Sequence, residues 1–290
     1  MEINYVLVPE SFDMNLSNVD VELNEQLSHF LQIFEMLRDD EVVSYSMNIF
    51  DQMIDNGESF VDWLYRDDDM RDEKRLFQLL FHKMHEMEPL EIQKVISGLQ
   101  RSEYDSQAAA IKFYNFSIPY IHDSLIVRNG QDCLTVRRFY MTFINDFTIF
   151  INECEGCFPN LFIHNRVKQT IKRFKPFRDY KDETMLHLTV LNDYGQRLFE
   201  EYQNQSENVV LEHLGIIGGI HCSIQGDPAY EKVNLCFEFP SDEGGSIKVI
   251  CAPHTKLFNQ YSGERIYFNW GHPNVKNGKK ILIGHIGGHL

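Results

Sequence analysis

The chain has 290 residues, of which 43% are hydrophobic and 24% charged, and a formal net charge of −16. That length allows one large domain or two smaller ones with sizeable cores. The 13% aromatic content excludes collagen-like and disordered chains, and the net acidity argues against a protein that coats nucleic acid indiscriminately.

The acidity is uneven. Residues 1–100 carry 22 Asp/Glu against 7 Lys/Arg, whereas the other 190 residues carry 21 against 20. Such asymmetry suggests two modules with different surroundings. The acidic third is read either as a well-solvated face or as a surface that docks on a basic protein partner.

The opening residues, MEINYVLVPESFDMN, show no basic segment followed by an apolar one. No signal peptide is therefore expected. No apolar run approaches the roughly 18 to 20 residues of a membrane span, so a cytoplasmic protein without membrane contact is expected. Leu27, Phe30, Leu31, Phe34 and Leu37 recur at three- and four-residue steps, as one buried helix face requires. A second stretch, from Met47 to Tyr65, is interrupted by the turn signal Asn56-Gly57. The charged run 66–75 reads as a solvated connection. From Asp72 to Met87 a third helix is expected, with Leu76, Phe77, Leu79, Leu80, Phe81 and Met84 apolar. Asp72 and Glu73 suit the positive end of its dipole. Glu91 to Leu99 predicts a short further helix.

Residues 101–205 read as mainly helical. Thr135 to Asn152 is ambiguous between helix and strand. Asn165 to Phe174 predicts an amphipathic basic helix within the most basic stretch of the chain: Arg166, Lys168, Lys172, Arg173, Lys175, Arg178 and Lys181. Glu183 to Tyr202 predicts another helix, with Leu186, Leu188, Leu191, Leu198 and Phe199 in the core.

From about residue 206 short β-rich segments alternate with turns. The predicted strands are Gly215–Ile224, Lys232–Phe239, Ser246–Cys251, Arg265–Trp270 and Lys280–Ile286. This spacing argues for a meandering antiparallel sheet. Val233, Leu235, Phe237 and Phe239 alternate with polar neighbours, giving one buried face. The expected class is α+β: an acidic helical domain over 1–100, a mainly helical middle over 101–205 and an antiparallel β-rich domain over 206–290.

Six cysteines spread over so long a chain read as reduced thiols. Cys154-Glu-Gly-Cys157 is a lone C-x-x-C. A zinc site needs four ligands, and no second pair follows at finger spacing. No βαβ pattern supports a redox role. Phosphate-loop, zincin and nucleophile-elbow motifs are absent.

The chemistry-bearing cluster lies in residues 251–290, which hold four of the twelve histidines: His254, His272, His285 and His289. Lys256, Arg265 and Tyr267 lie among them. In a strand, Arg265, Tyr267 and Asn269 share one face, with Arg265 and Tyr267 about 7 Å apart. His285 ends the next predicted strand, flanked by Gly284, Gly287 and Gly288, which allow a close approach. Such a set suits RNA cleavage. A base removes the 2′-hydroxyl proton, an acid protonates the leaving 5′-oxygen, and fixed cations hold the phosphate. Histidine suits both proton roles, and Arg offers phosphate a bidentate fork. The candidate catalytic residues are His254, Lys256, Arg265, Tyr267, His285 and His289. Arg166, Lys168, Lys172 and Arg173 are the candidate RNA contacts, and no metal or cofactor is assigned. Each also has a structural reading. On that reading His254 hydrogen-bonds a loop, Arg265 pairs with Glu238 or Glu264 across the sheet, Tyr267 is a half-buried strand tyrosine, and His289 docks the tail. Assembly of the histidines around zinc also stays open.

Two segments carry a resemblance: Cys157-Phe-Pro-Asn-Leu-Phe-Ile-His164, and Pro253-His-Thr-Lys-Leu257 with Arg265-Ile-Tyr-Phe268 and Ile283-Gly-His-Ile-Gly-Gly-His-Leu290. They are similar to a group of uncharacterised bacterial proteins ending in a G-H-I-G-x-H-L-type tail. The closing strands also resemble RelE/HigB-type toxin ribonucleases, in which a small antiparallel sheet follows helices. That resemblance implies a ribonuclease in bacterial growth control or anti-phage defence. The competing expectation is a non-enzymatic interaction or regulatory subunit of a defence complex.

Overall fold

The computed structural model describes residues 1–13, 23–55, 57–67, 70–114 and 117–290. Asn56 of the expected turn, and Asp68 and Asp69 of the charged run, lie outside them. The chain packs as two compact units, Met1–Tyr140 and Met141–Leu290, where the expected elements divided it into three parts. The first holds 26 acidic and 12 basic residues and the second 17 and 15. The acidity therefore belongs to one structural unit.

The first unit is built on a sheet and not on helices alone. β1 (Asn4–Leu7) pairs in parallel with β2 (Val42–Tyr45) and with β6 (Ala108–Ile111). The short β5 (His85–Glu86) and β7 (Ile126–Val127) add parallel edges, giving the order β5-β2-β1-β6-β7. This corrects the expectation of an acidic helical domain over 1–100. The reason is physical. Tyr5, Val6 and Leu7, and all of Ala108–Ile111, are buried. Strands covered on both faces show no polar–apolar alternation, so they carry no period-two signal. Residues beyond 100 complete the sheet, which moves the boundary to 140.

The predicted helix faces are present in α1 (Leu23–Met36), which buries Leu27, Phe30 and Ile33, and in α3 (Arg71–Phe81), which buries Phe77 and Leu80. Leu76 and Leu79, apolar residues of the same run, are exposed. Met47–Tyr65 divides into a 3-10 turn, the hairpin β3 (Met53–Asp55) and β4 (Glu58–Ser59), and α2 (Phe60–Tyr65). The chain runs outward from β1 on one side, then returns to the other side as β6. An open parallel sheet places ligands beyond the carboxyl ends of its strands at such a switch. Here Phe12 and Phe113 follow those two strand ends and stack, with ring centroids 4.5 Å apart. An aromatic cluster with Phe30, Phe60 and Phe77 fills that position. In the same unit, Arg137 and Glu41 form a buried bidentate ion pair at 2.7 and 2.5 Å.

The second unit places helices around a five-stranded sheet of order β8-β14-β13-β12-β9. Its strands are β8 (Leu161–Ile163), β9 (His221–Ile224), β12 (Pro253–Lys256), β13 (Glu264–Asn269) and β14 (Ile281–Gly288). Four of them are antiparallel neighbours, but β8 runs parallel to β14. The sheet is thus mixed, which corrects the plain antiparallel expectation. β8 belongs to a distant part of the chain, and a long connection allows a parallel pairing. β10 (Cys236–Pro240) and β11 (Ser246–Ile250) form a separate hairpin.

Thr135–Asn152 resolves as helix, in α5 (Gly130–Met141) and α6 (Phe147–Cys157). Asp146 caps α6 by accepting hydrogen bonds from Thr148 N and Ile149 N at 2.7 and 3.0 Å. The basic stretch forms α7 (Val167–Thr170) and a 3-10 turn, burying Val167, Ile171 and Phe174. Glu183–Tyr202 becomes α8 (Arg178–Val190) and α9 (Gln196–Glu201), in which Leu186 and Phe199 are exposed. Two expected strands begin as helix: α10 (Glu207–Gly218) and α11 (Pro228–Asn234). Gly219, at φ 64°, closes α10. Asp227 caps α11, with Pro228 in its first turn. Val233 is accordingly 80% exposed, while Leu235, Phe237 and Phe239 are buried as their alternation implied.

Candidate functional site

Strand register assembles the site. His254 on β12 lies opposite Tyr267 on β13, and Tyr267 lies opposite His285 on β14. On the other side, His254 lies opposite Ser223 on β9. Four side chains therefore form one row across four strands: Ser223, His254, Tyr267, His285. Two residues along, Lys256 lies opposite both His221 and Arg265, and Arg265 opposite Gly287. Because side chains alternate between faces, this second row shares the face of the first, about 7 Å away.

The rings of the first row are in contact range. The His254 and Tyr267 centroids are 4.9 Å apart, and those of Tyr267 and His285 are 5.9 Å apart. His289, exposed at the end of the chain segment, lies 6.4 Å from the Tyr267 ring. A bulge sets the position of His285. Tyr267 pairs with His285 and Phe268 with Ile283, which leaves Gly284 unpaired. A Cβ on Gly284 would lie 2.6 Å from the Phe237 ring and 2.9 Å from Cys251 Sγ. A Cβ on Gly287 would lie 2.8 Å from His285 Nε2. Both glycines are required by close approach, not by turn geometry.

Hydrogen bonds fix both imidazole tautomers. His254 Nδ1 donates to Ala252 O at 3.3 Å, because a carbonyl can only accept. Its Nε2 is then the bare nitrogen and accepts from the Ser223 hydroxyl at 2.9 Å. His285 Nε2 donates to Gly288 O at 2.9 Å, leaving Nδ1 bare. His285 Nδ1, Tyr267 Oη and Arg265 Nε are buried without a well-formed hydrogen bond. Buried polar atoms are normally satisfied. Three of the four such side-chain atoms among the described residues belong to this one site, the fourth being Trp63 Nε1.

The electrostatics are cationic. Arg265 pairs with no carboxylate among the described residues; its guanidinium donates to Ser262 O and to Glu264 O. The expected pairing with Glu238 or the Glu264 carboxylate is not made. Burial lowers the pKa of His254 to about 4, and Arg265, Lys256 and His289 push in the same direction. Burial likewise lowers His285 to about 4, with Arg166 and Arg173 contributing. Both rings are neutral at pH 7. Burial raises the Tyr267 pKa, against the opposing pull of the Leu290 backbone and Arg265.

Of the expected RNA contacts, Arg166 and Arg173 stand close enough to affect His285. Arg166 also lies over the Phe237 ring, 5.5 Å from its centroid. Lys168 and Lys172 go elsewhere. Lys168 lines a cleft of about 240 Å³ between α6 and β8, with Glu155, His164 and Asn165. Lys172 Nζ donates to Gln169 Oε1 at 3.0 Å and lies over Phe147. His272 holds a tight turn by accepting from Asn274 N at 3.3 Å.

The row is shielded. His254, Tyr267 and His285 are 3%, 0% and 1% exposed. Ser223 and Lys256 are half-buried, on the edge strand β9 and its neighbour β12. The Tyr230 hydroxyl holds the Leu290 carbonyl beside Tyr267. Among the described residues, no three His, Cys, Asp or Glu side chains are grouped to hold a metal ion. Cys154 and Cys157 are buried in α6, and burial pushes the Cys154 thiol up.

Ser223 and Tyr230 did not figure among the expected site residues. Ser223 had a signal: in His221-Cys-Ser-Ile224 it shares a strand face with a histidine. Only register shows that it faces His254. Comparison with protein families, curated proteins and solved structures returns no match to this chain.

Proposed function

We propose that the second unit is a ribonuclease whose acid–base groups are its own side chains. The observation that carries this reading is the row itself. Two histidines, each with one unprotonated ring nitrogen, flank a tyrosine beside Lys256, Arg265, Arg166 and Arg173, and among the described residues no carboxylate pairs with Arg265. A cationic site with unpaired buried donors and acceptors suits a phosphodiester. His254 Nε2 acts as base toward the 2′-hydroxyl. Arg265 and Lys256 hold the non-bridging oxygens, Tyr267 orients the phosphate, and His285 or the exposed His289 serves the leaving oxygen. Arg166 and Arg173 guide the backbone. An anion entering the site raises both histidine pKa values, because it offsets the cations that depress them. The resemblance of the closing strands to RelE/HigB-type toxin ribonucleases supports this reading, and the setting proposed with it is bacterial growth control or anti-phage defence in the cytoplasm.

The test is cleavage of a labelled RNA in the presence of EDTA. Wild type is expected to release fragments with 2′,3′-cyclic phosphate ends. His254→Gln and Arg265→Ala are expected to be at least about 100-fold slower. Equal RNA integrity with all three proteins overturns the reading.

The burial of the row favours a second reading, in which the face is structural and the protein is a non-enzymatic subunit of a defence complex. Its binding surface is then the acidic first unit, which fits a basic protein partner. Loss of a co-purifying partner on charge reversal in residues 1–100, with RNA left intact by wild type, selects this alternative.

A further inference from the structure

The same row contains a nucleophile of its own. We propose that Ser223 Oγ, with His254 as its base, attacks phosphodiesters that lack a 2′-hydroxyl and passes through a phosphoserine intermediate. This uses the site of the ribonuclease reading but does not depend on an RNA substrate.

Three observations carry it. Ser223 Oγ lies 2.9 Å from His254 Nε2, and Ala252 O holds the other ring nitrogen. A nucleophile, a base in hydrogen-bond reach and a third group orienting that base form the arrangement that activates serine elsewhere. Access is the second point. Ser223 is half-buried on the edge strand, whereas its three partners in the row are almost completely covered. Ser223 is thus the member of the row most accessible to solvent. Third, the cationic row of Lys256 and Arg265 runs beside the nucleophile, and Arg265 Nε has no hydrogen-bond partner among the described residues. That row can hold the charge that develops on phosphorus.

The step balances. As the Ser223 Oγ–phosphorus bond forms, the hydroxyl proton passes to His254 Nε2. The bond from phosphorus to the leaving oxygen breaks with its electron pair on oxygen, and that oxygen takes the proton from His254. Water then attacks the phosphoserine ester and gives a proton to His254. The ring returns it to Ser223 Oγ as the phosphorus–Oγ bond breaks, releasing a phosphate monoester.

The experiment uses the full chain and two probes. A fluorophosphonate is incubated with the protein, and peptide mass spectrometry locates the adduct. Labelling at Ser223 is expected, with none in Ser223→Ala and a rate about 100-fold or more lower in His254→Gln. Circular dichroism confirms that both variants fold, and Ser223→Ala on an edge strand removes only one oxygen. The second probe is a thymidine phosphodiester with a nitrophenol leaving group, quenched in acid to trap phosphoserine at Ser223. Absence of adduct at Ser223 with both probes overturns the proposal, as does an adduct rate unchanged in His254→Gln. RNA cleavage without Ser223 adducts leaves the ribonuclease reading standing alone. Ser223 adducts without RNA cleavage do the reverse.

Discussion

Acidification should unfold the second unit through His254 and His285. Each has a pKa lowered from 6.5 to about 4, first by burial and then by neighbouring cations. The unfolded chain therefore binds more protons than the folded one between these values. Stability from the neutral rings is complete above pH 6.5 and is lost as pH falls toward 4. Fully expressed, the loss is about 3 kcal/mol per histidine, and about 2 kcal/mol of it has already gone at pH 5. The two rings flank one tyrosine, so their effects will not add perfectly. With both acting, the slope reaches at most about 2.7 kcal/mol per pH unit. The assay is urea unfolding at a series of pH values in a Trp63→Phe background. Trp270, stacked on Phe199 at 5.2 Å, then reports on the second unit alone. The same series in His254→Gln and His285→Gln isolates each ring from exposed carboxylates, which titrate equally in all three proteins. A stability difference between wild type and variant that does not change from pH 7 to pH 4.5 refutes the reasoning. So do imidazole resonances with midpoints near 6.5.

Breaking the buried pair in the first unit should cost about 3–5 kcal/mol in either Glu41→Leu or Arg137→Met. The double variant should recover most of that, as a double-mutant cycle in urea would measure. Gly287→Ala places a Cβ 2.8 Å from His285 Nε2. It should cost about 1–3 kcal/mol and shift the His285 ring resonances. Asp146→Ala removes the α6 cap and should lower stability by about 1 kcal/mol in thermal or urea unfolding.

Some of the site was legible in the chain alone because local periodicity is a local property. Alternation along 265–269 put Arg265 and Tyr267 on one face, and the glycines around His285 marked a close approach. The three-and-four spacing of Leu27, Phe30 and Phe34 marked α1, although Phe34 is only partly buried. Helix and strand were confused where both types bury apolar residues. Gly215–Gly218 is helical because a left-handed Gly219 ends α10 just before β9 begins.

The sequence by itself determined the clustering of histidines with Lys256, Arg265 and Tyr267 in the last forty residues, the uneven charge, the strand faces of β10 and β13 and the mixed class of the fold. Tertiary structure decided the rest. Whether Ala108–Ile111 is a strand depends on being covered on both faces, which leaves no alternation to read. Whether Ser223 meets His254, or Arg173 comes near His285, depends on which strands and turns lie side by side after long connections. A one-residue change of register would turn every side chain of a strand to the other face. Only the paired sheet could place a serine, two neutral histidines and a tyrosine in one line.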